Sequence, residues 1–465
     1  MEIIGFVSFL LLFVVIGLWS TRQQTDQAND YLLAGGTVSP LLTALSAAAT
    51  KNSGYMFIGL IGYIYSFGLS AIWLVCGFLF GDLVAFCMVH KRLREATKQT
   101  NALSFAELIG RWNGGHYRKL QVAIGLITLV FLSIYAAAQL NAGGKALKAL
   151  FEWHPSSGAW IGAGLTLIYC MSGGLRASIW TDAAQSLLMM FAMLLLLGSA
   201  IHHAGDYSEF VKKLDHVSPT FLDLGPSRFG SIGATVLFAI GWLFNGIGVI
   251  GQPQVMVRFM ALDDSRHMRK TGIYYFLWSS LFLSVTFVVG LASRLYIAES
   301  SSFDAELALP TLAQTLLPGL ATGVVLGGIF AATISTIDSQ VLSCSAVLSD
   351  DFNLGQSRRA KRLSTLAVMA ISLTVALFAP ANVFTLVIVA WSALACTIGP
   401  LVIVHAFGKS PSEKLALLMM ILGLSAVVAW RFLGWNQFLY EGAPGILLPL
   451  LTYALFGKNQ EVTSG

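Results

Sequence analysis

Charged side chains are scarce in this sequence. Asp, Glu, Lys and Arg make up 11% of the 465 residues, against roughly a quarter in an ordinary soluble protein. Long polar stretches are also missing, and apolar runs of about 20 residues, enough to cross roughly 30 Å of hydrocarbon as a helix, recur along the chain. These features exclude a soluble globular protein. They predict an all-α integral membrane protein that forms one polytopic domain over residues 1–465.

Groups that enzymes and pumps need are missing from the apolar runs. The eight histidines all fall in loops or at the ends of apolar segments, so we expect no Ser/His/Asp or metal constellation at membrane depth and no enzyme. The sequence has no GxxxxGK[ST] loop, which excludes a pump driven by ATP. The five cysteines lie inside apolar segments, which favours core positions over disulfides or a zinc site.

The apolar runs form thirteen segments, which predicts about 13 transmembrane helices. The segments are 3–20, 40–66, 69–90, 120–150, 158–174, 178–203, 229–256, 272–296, 318–348, 363–379, 382–407, 413–431 and 443–457. The first has no basic residues before it, so we expect a retained helix rather than a signal peptide. Most of the 28 Lys and Arg residues fall in loops on one side, including 91–119, 258–270 and 358–362. The positive-inside rule then predicts a multi-pass protein of a bacterial-type inner membrane, with its N-terminus outside and its C-terminus in the cytoplasm.

Glycine interrupts two of these segments. Glycines cluster between residues 54 and 62 in the second segment, and between 241 and 251 in the seventh. Backbone groups freed by a break in a membrane helix are tolerated where they line a cavity. Two broken helices five segments apart therefore predict inverted repeats over 40–203 and 229–407, with a binding site at the midplane; close helix packing is the alternative explanation for the glycines. The remaining segments are an extra helix, 3–20, and two peripheral helices, 413–431 and 443–457.

Few ionisable residues are expected at membrane depth, and the candidates are Lys51, Asp82, Asp182 and Asp338. A charge at the bilayer centre costs roughly 2.5–3.5 kcal/mol on insertion scales, so each is a candidate functional residue. Each also has a purely structural explanation. Asp182 can stabilise a helix N-terminus, and Asp82 and Asp338 can face water at the inner ends of their helices.

The most polar stretch within a predicted helix is AATISTIDSQVLSCS, residues 331–345. Ser335, Asp338 and Ser339 fall on one helical face, and Thr336 adds a hydroxyl beside them. Several oxygen ligands facing the freed carbonyls of a broken helix suit a hard monovalent cation. Single Ser and Thr residues often bond back to their own helix or join two helices. The clustering of these residues favours an ion site.

Four stretches of the chain resemble the sodium/solute symporter family, nearest its sodium/proline branch. They are GGLRASIWTDAAQ (173–185), GQPQVMVRFMA (251–261), ISTIDSQVLSCSAVLSDD (334–351) and AWSALACTIGP (390–400). The resemblance implies a LeuT-type 5+5 inverted repeat with broken first and sixth core helices. It also implies a transporter that works by alternating access.

The resemblance implies positions for the ions and the solute as well, and no cofactor other than sodium. The main sodium site would use carbonyls of Ala49, Asn52 and Ala332 and hydroxyls of Ser335 and Thr336. A second ion or proton site would use Asp182 and Ser339, with Asp338 nearby. The solute would face Ser53, Gly54, Phe57, Asn245, Val249, Gln252 and Trp391.

Lys51 departs from the family pattern, because proline carriers have an aspartate there and sugar carriers an asparagine. Three interpretations stay open. The ammonium can replace or repel sodium, which would make the protein proton-coupled or uncoupled; it can bind a substrate carboxylate; or it can extend along the inner vestibule without effect. Asn245 and Val249 stand where proline symporters have a Trp and a Tyr, which argues against proline as the substrate.

The sequence therefore predicts a secondary transporter that brings a small polar solute, an amino acid or a carboxylate, into the cell. Sodium symport is expected unless Lys51 changes the coupling. The alternative is a membrane sensor or receptor with a transport fold, which would bind the solute without coupled flux. We expect the solute and the lipid bilayer as partners and no nucleic acid, and the oligomeric state stays open, a monomer included.

Overall fold

The computed structural model describes residues 28–298, 302–352, 355, 358–378 and 382–457, together with residues 3, 5–9, 11 and 15. Most of the predicted helix 3–20 therefore lies outside the described residues. The α-helices are α1 (Ala28–Leu33), α2 (Pro40–Lys51), α3 (Leu60–Phe67), α4 (Ile72–Ala85), α5 (Lys91–Thr100), α6 (Phe105–Arg111), α7 (Arg118–Phe151), α8 (Pro155–Ala204), α9 (Tyr207–Asp215), α10 (Pro226–Phe229), α11 (Ile232–Ile247), α12 (Pro253–Met260), α13 (Met268–Tyr296), α14 (Ala308–Leu316), α15 (Gly319–Ala346), α16 (Arg358–Phe378), α17 (Val383–Ala406), α18 (Glu413–Phe432) and α19 (Gly442–Phe456).

The described helices match the predicted segments from 40–66 onward. Eight helical stretches in the described part of the chain are long and apolar enough to cross a membrane. Three shorter apolar helices, Ser156–Ile168, Arg362–Phe378 and Gly442–Phe456, accompany them. This confirms an all-α, multi-pass membrane protein.

Both predicted helix breaks are present. The first follows α2, where Asn52 leaves helical geometry (φ −80°, ψ 63°) before a π-helical turn, Tyr55–Gly59, leads into α3. The second follows α11, where a 3₁₀ turn and an extended Gln252 (φ −97°, ψ 99°) precede α12. Pro253 occupies the first position of α12. Proline is favourable there, because the N–H group that it lacks would have no acceptor within the helix. The breaks leave backbone carbonyls without their helical partners.

Residues 158–174 and 178–203, predicted as two segments, form two helices that meet at a kink within the range of α8. The kink is at Gly174, whose φ of 55° lies in the left-handed region that favours glycine. A Cβ there would also lie 2.7 Å from the Tyr31 carbonyl oxygen. Only three residues separate the two predicted segments, too few for a loop, so the chain changes direction at the kink itself.

Helices α4 and α11 cross in close contact through two glycines. A Cβ on Gly81 would lie 2.0 Å from the Leu243 carbonyl oxygen, and one on Gly246 would lie 2.0 Å from the Phe78 carbonyl oxygen. Small residues let membrane helices approach to backbone contact, which strengthens their packing. This crossing holds α4, which carries Asp82, against one half of the second broken helix.

Substitution of Gly81 by Ala should lower the stability of the purified protein by about 1–3 kcal/mol, the usual cost of overpacking. The added methyl group meets backbone atoms of α11, which cannot rotate out of the way. Gly198→Ala is the matched control, because nothing lies within 4 Å of a Cβ at that position in α8. Thermal unfolding in detergent, followed by intrinsic fluorescence, measures both variants. Equal melting temperatures for the two would contradict the close crossing.

Candidate functional site

The first cluster of oxygens lies where the broken end of α2 faces α15. The Ser335 hydroxyl is 3.4 Å from the carbonyl oxygen of Ala49 and 3.1 Å from that of Ala332. All three residues are buried. Two of the five groups expected to hold sodium are thus within hydrogen-bonding range of a third, the Ser335 hydroxyl.

Thr336, another of the expected sodium ligands, contacts the same end of α2. The Thr336 hydroxyl donates to the Thr50 carbonyl oxygen at 3.1 Å, one residue along from the expected carbonyl of Ala49. Asn52 caps α2, and its buried side-chain oxygen has no hydrogen-bond partner. The neutral set of carbonyl and hydroxyl oxygens from α2 and α15 fits a hard monovalent cation.

The residues expected to form a second ion site surround the side chain of Arg258. This guanidinium is fully buried and lies 3.3 Å from the Asp182 carboxylate. It also donates to the hydroxyls of Ser178, at 2.8 Å, and of Ser339. Asp338 is buried on the same helix as Ser339. A protein cation therefore contacts both groups that the sequence suggested for a second ion.

Among the charged residues, Arg258 lies furthest from the kind of position that the sequence predicts. The distribution of Lys and Arg put it in an inner loop with Arg266 and Lys270, yet it lies on α12 with its side chain inside the protein. Its NH1 group also bonds the Gln254 carbonyl oxygen at 2.9 Å. A buried arginine is stable here because several acceptors and a carboxylate surround its planar fork.

Lys51 is buried beside the break in α2 and pairs with Asp82. Its Nζ lies 2.7 Å from Asp82 Oδ2 and 3.2 Å from the Ser279 hydroxyl, and both side chains of the ion pair have no exposed surface. Tyr275 donates to the same carboxylate oxygen at 2.8 Å, and its ring centroid is 4.2 Å from Nζ. The ammonium thus faces α4 and α13, whereas the sodium-type oxygens face α15.

Lys51 also lines a cavity between the broken helices, called here the central cavity. Its walls are mainly apolar and aromatic, with polar groups from Lys51, Tyr55, Tyr135 and Asn245. The other lining residues are Met56, Leu60, Leu74, Val75, Phe78, Trp242, Leu283, Val387, Ile388 and Trp391. Apolar walls with a few convergent polar groups are typical of a small-molecule site.

The residues expected around the solute fall into two groups. Asn245 and Trp391 line the central cavity, and the Trp391 indole donates to the Asn245 carbonyl oxygen at 3.0 Å. The other five are not among its lining residues. Ser53 contacts the Tyr135 hydroxyl at 3.3 Å, the Gly54 N–H donates to Gln139, Gln252 donates to the Trp391 carbonyl oxygen, and Phe57 and Val249 are buried in the core.

The described residues line two further cavities, named here after the orientation that the sequence predicts. The outer vestibule is lined by Arg228, Arg431 and Glu441 among others, and shares the walls Trp242 and Ile388 with the central cavity. The inner cavity is lined by Thr128, Pro253, Arg258, Ser343 and Ala346 among others. No described residue lines both the central and the inner cavity. The central cavity therefore adjoins the outer vestibule and has no described wall residue in common with the inner cavity.

Residues 31–423 match the family model described as "Sodium:solute symporter family". The chain belongs to the sodium:solute symporter family. Among its curated relatives, the high-affinity proline transporter PutP of Bacillus subtilis is 30% identical over 451 residues, which cover 94% of each chain. The sodium/proline symporter of Escherichia coli K12 is 29% identical over 98% of this chain and 93% of its own. These relatives are transporters, and this chain is no enzyme.

Solved transporter structures share the fold of this symporter-family protein. A Na⁺-coupled sialic acid symporter, substrate-bound and outward-open, aligns with a TM-score of 0.82 at 19% identity, over 97% of this chain and 96% of its own. MhsT in complex with L-phenylalanine aligns with a TM-score of 0.62 at 14% identity, over 89% and 97%. The predicted LeuT-type fold with broken first and sixth core helices is confirmed.

Several site residues of this symporter-family protein were not predicted from the sequence. Tyr135 and Trp242 lie in long apolar segments, where an aromatic residue gives no sign that it faces a cavity. Ser46, Ser178 and Arg258 form hydrogen bonds around Asp182. A buried aspartate signals that a cation is nearby, but without coordinates it does not say which.

Proposed function

We propose that this protein is a sodium-coupled symporter that carries a small carboxylate-bearing solute, an amino acid or a simple organic acid, into the cell. The observation that carries the proposal is the Ser335 hydroxyl between the carbonyls of Ala49 and Ala332. Sodium bound there would join α2 to α15 and so favour one state of the alternating-access cycle. The proposed setting is a bacterial-type inner membrane, with the N-terminus outside and the C-terminus in the cytoplasm.

The ion pair of Lys51 supports sodium coupling rather than replacement of sodium by the ammonium. Asp82 compensates the charge of Lys51 at 2.7 Å, and the pair faces other helices than the sodium-type oxygens do. Two isolated cations 4 Å apart would repel by about 4 kcal/mol at an effective dielectric constant of 20. A carboxylate in direct contact with one of them removes most of that penalty.

The central cavity supports a solute with a carboxylate and a compact apolar body. Lys51 is the only formally charged side chain among its described lining residues. An ammonium has three N–H groups, and Asp82 and Ser279 accept two of them, which leaves one for a carboxylate in the cavity. The names of the relatives suggest proline, but Asn245 and Val249 differ from the proline symporters, so other small amino acids belong in the same panel.

Uptake in proteoliposomes tests this function. Wild-type protein should accumulate at least one labelled solute from a panel of proline, other small amino acids and short monocarboxylates when sodium is high outside. A pH gradient without sodium should drive no uptake. Uptake driven by the pH gradient alone would overturn sodium coupling. Solute binding in a thermal-shift assay, with no flux under either gradient, would support the sensor or receptor instead.

A further inference from the structure

The buried Arg258 network borders the inner cavity and ties together several core helices. Arg258 lines the inner cavity, and its guanidinium bonds side chains from three other helices. These are Ser46 on α2, at 3.4 Å, Ser178 and Asp182 on α8, and Ser339 on α15. Arg258 thus joins α12, whose Pro253 and Val257 line the inner cavity, to α2, whose Lys51 lines the central cavity. Each of these helices is one half of a broken helix, so their separation would open a path from one cavity towards the other.

The same network reaches the sodium-type oxygens through Ser339. Ser339 donates its one hydroxyl hydrogen to the Ser335 carbonyl oxygen at 2.7 Å, so it acts as an acceptor towards Arg258 and towards the Thr50 hydroxyl at 3.0 Å. Thr50 in turn accepts the hydroxyl of Thr336 at its carbonyl oxygen. Ser339 therefore contacts both the sodium-type cluster and Arg258, and Thr50 links the same cluster to Ser339.

We propose that Arg258 occupies the second ion position as a cation fixed to the chain, and that its hydrogen bonds keep the path to the inner cavity closed. These hydrogen bonds are called here the latch. Sodium at the first site strengthens the latch. The inference rests on the proposed function for its sodium site. Sodium would hold Ser335 and Thr336 against the end of α2, which keeps Thr50 and Ser339 in place as partners of the latch. By linkage, an intact latch also raises the affinity for sodium by the same factor.

The test measures access to the inner cavity with a cysteine at Ala346. This residue lines the inner cavity and its small side chain is buried. Ala346→Cys is introduced into full-length protein whose native cysteines are replaced by alanine, and the protein is reconstituted in nanodiscs. Alkylation by N-ethylmaleimide is timed in sodium chloride and in potassium chloride. The latch predicts slow alkylation in sodium and faster alkylation in potassium.

Arg258→Gln should speed alkylation in sodium about tenfold and abolish the difference between the salts, because charge-assisted hydrogen bonds to several partners are lost. Arg258→Lys keeps the charge and should restore part of the sodium effect, which a purely structural role would not predict. Arg111→Gln is the matched control, since that arginine is half exposed and pairs with Glu107 outside the network. Slow, sodium-protected alkylation in Arg258→Gln would overturn the proposal.

Two milder variants keep the test decisive if Arg258→Gln fails to fold. Ser178→Ala removes one acceptor of the guanidinium and should speed alkylation in both salts. Ser339→Ala should reduce the sodium effect on alkylation, and a full sodium effect in this variant would overturn the link to the first site. Failure of the proposed function looks different. In that case wild-type protein shows no sodium-driven uptake, while Arg258→Gln still makes the inner cavity accessible to N-ethylmaleimide in potassium chloride.

Discussion

Replacement of Asp82 by Asn should destabilise the protein by about 3–5 kcal/mol, the usual cost of removing one partner from a buried ion pair. The amide would keep the shape of the side chain but leave the Lys51 ammonium buried without its carboxylate. Tyr275 would also lose the charge on the oxygen to which it donates. The loss of stability is measured by thermal unfolding of the purified protein and by the yield of monodisperse protein.

A second substitution separates stability from transport at this pair. Lys51→Met combined with Asp82→Leu removes both charges and keeps similar volumes, and such replacements of buried pairs are often neutral or stabilising. We expect this double variant to regain most of the stability lost in Asp82→Asn, short of the cost of the buried Tyr275 hydroxyl, which loses its acceptor. The uptake of a carboxylate solute should not return, because the ammonium of the central cavity is gone. Restored uptake in the double variant would show that Lys51 does not bind the solute. Wild-type stability in Asp82→Asn alone would contradict the ion pair itself.

The backbone breaks could be predicted from the sequence because their cause is local. Glycines in an apolar segment, and a proline that restarts a helix, mark the places where helical hydrogen bonds end. The hydroxyl row on α15 could be predicted for the same reason, since residues four apart share a helical face. Ser335 and Ser339 therefore lie on the helix face that the sequence indicates.

The partners of the buried charges could not be predicted, because they depend on how each helix is rotated against its neighbours. With 3.6 residues per turn, successive residues point about 100° apart. Lys51 is two residues from Ala49 and one from Asn52, yet its ammonium faces α4 and α13 while the Ala49 carbonyl faces α15. Nearness in sequence suggested a cation in the sodium site, whereas the structure pairs that cation with Asp82.

The buried position of Arg258 could not be predicted from the numbers of Lys and Arg in the loops. The positive-inside rule sums Lys and Arg over loops and says nothing about a single arginine at the end of a half-helix. Arg258 lies close in sequence to the exposed Arg266, but its guanidinium is fully buried beside Asp182. Two of the acidic residues singled out in the sequence, Asp82 and Asp182, thus each have a basic partner, one from Lys51 and one from Arg258.

Removal of the Ser335 hydroxyl should weaken sodium dependence more than any other single change in the first oxygen cluster. A hydrogen bond or ligand contact to a charged group contributes about 1.5–3 kcal/mol, so Ser335→Ala should raise the sodium concentration for half-maximal uptake roughly ten- to hundredfold. Thr336→Val should act in the same direction, because it removes a neighbouring hydroxyl. Ser186→Ala is the matched control, since this buried hydroxyl bonds only its own helix, at the Ala183 carbonyl oxygen. Sodium titrations of initial uptake rates in proteoliposomes measure all three, and an unchanged sodium requirement in Ser335→Ala would remove the ion from this site.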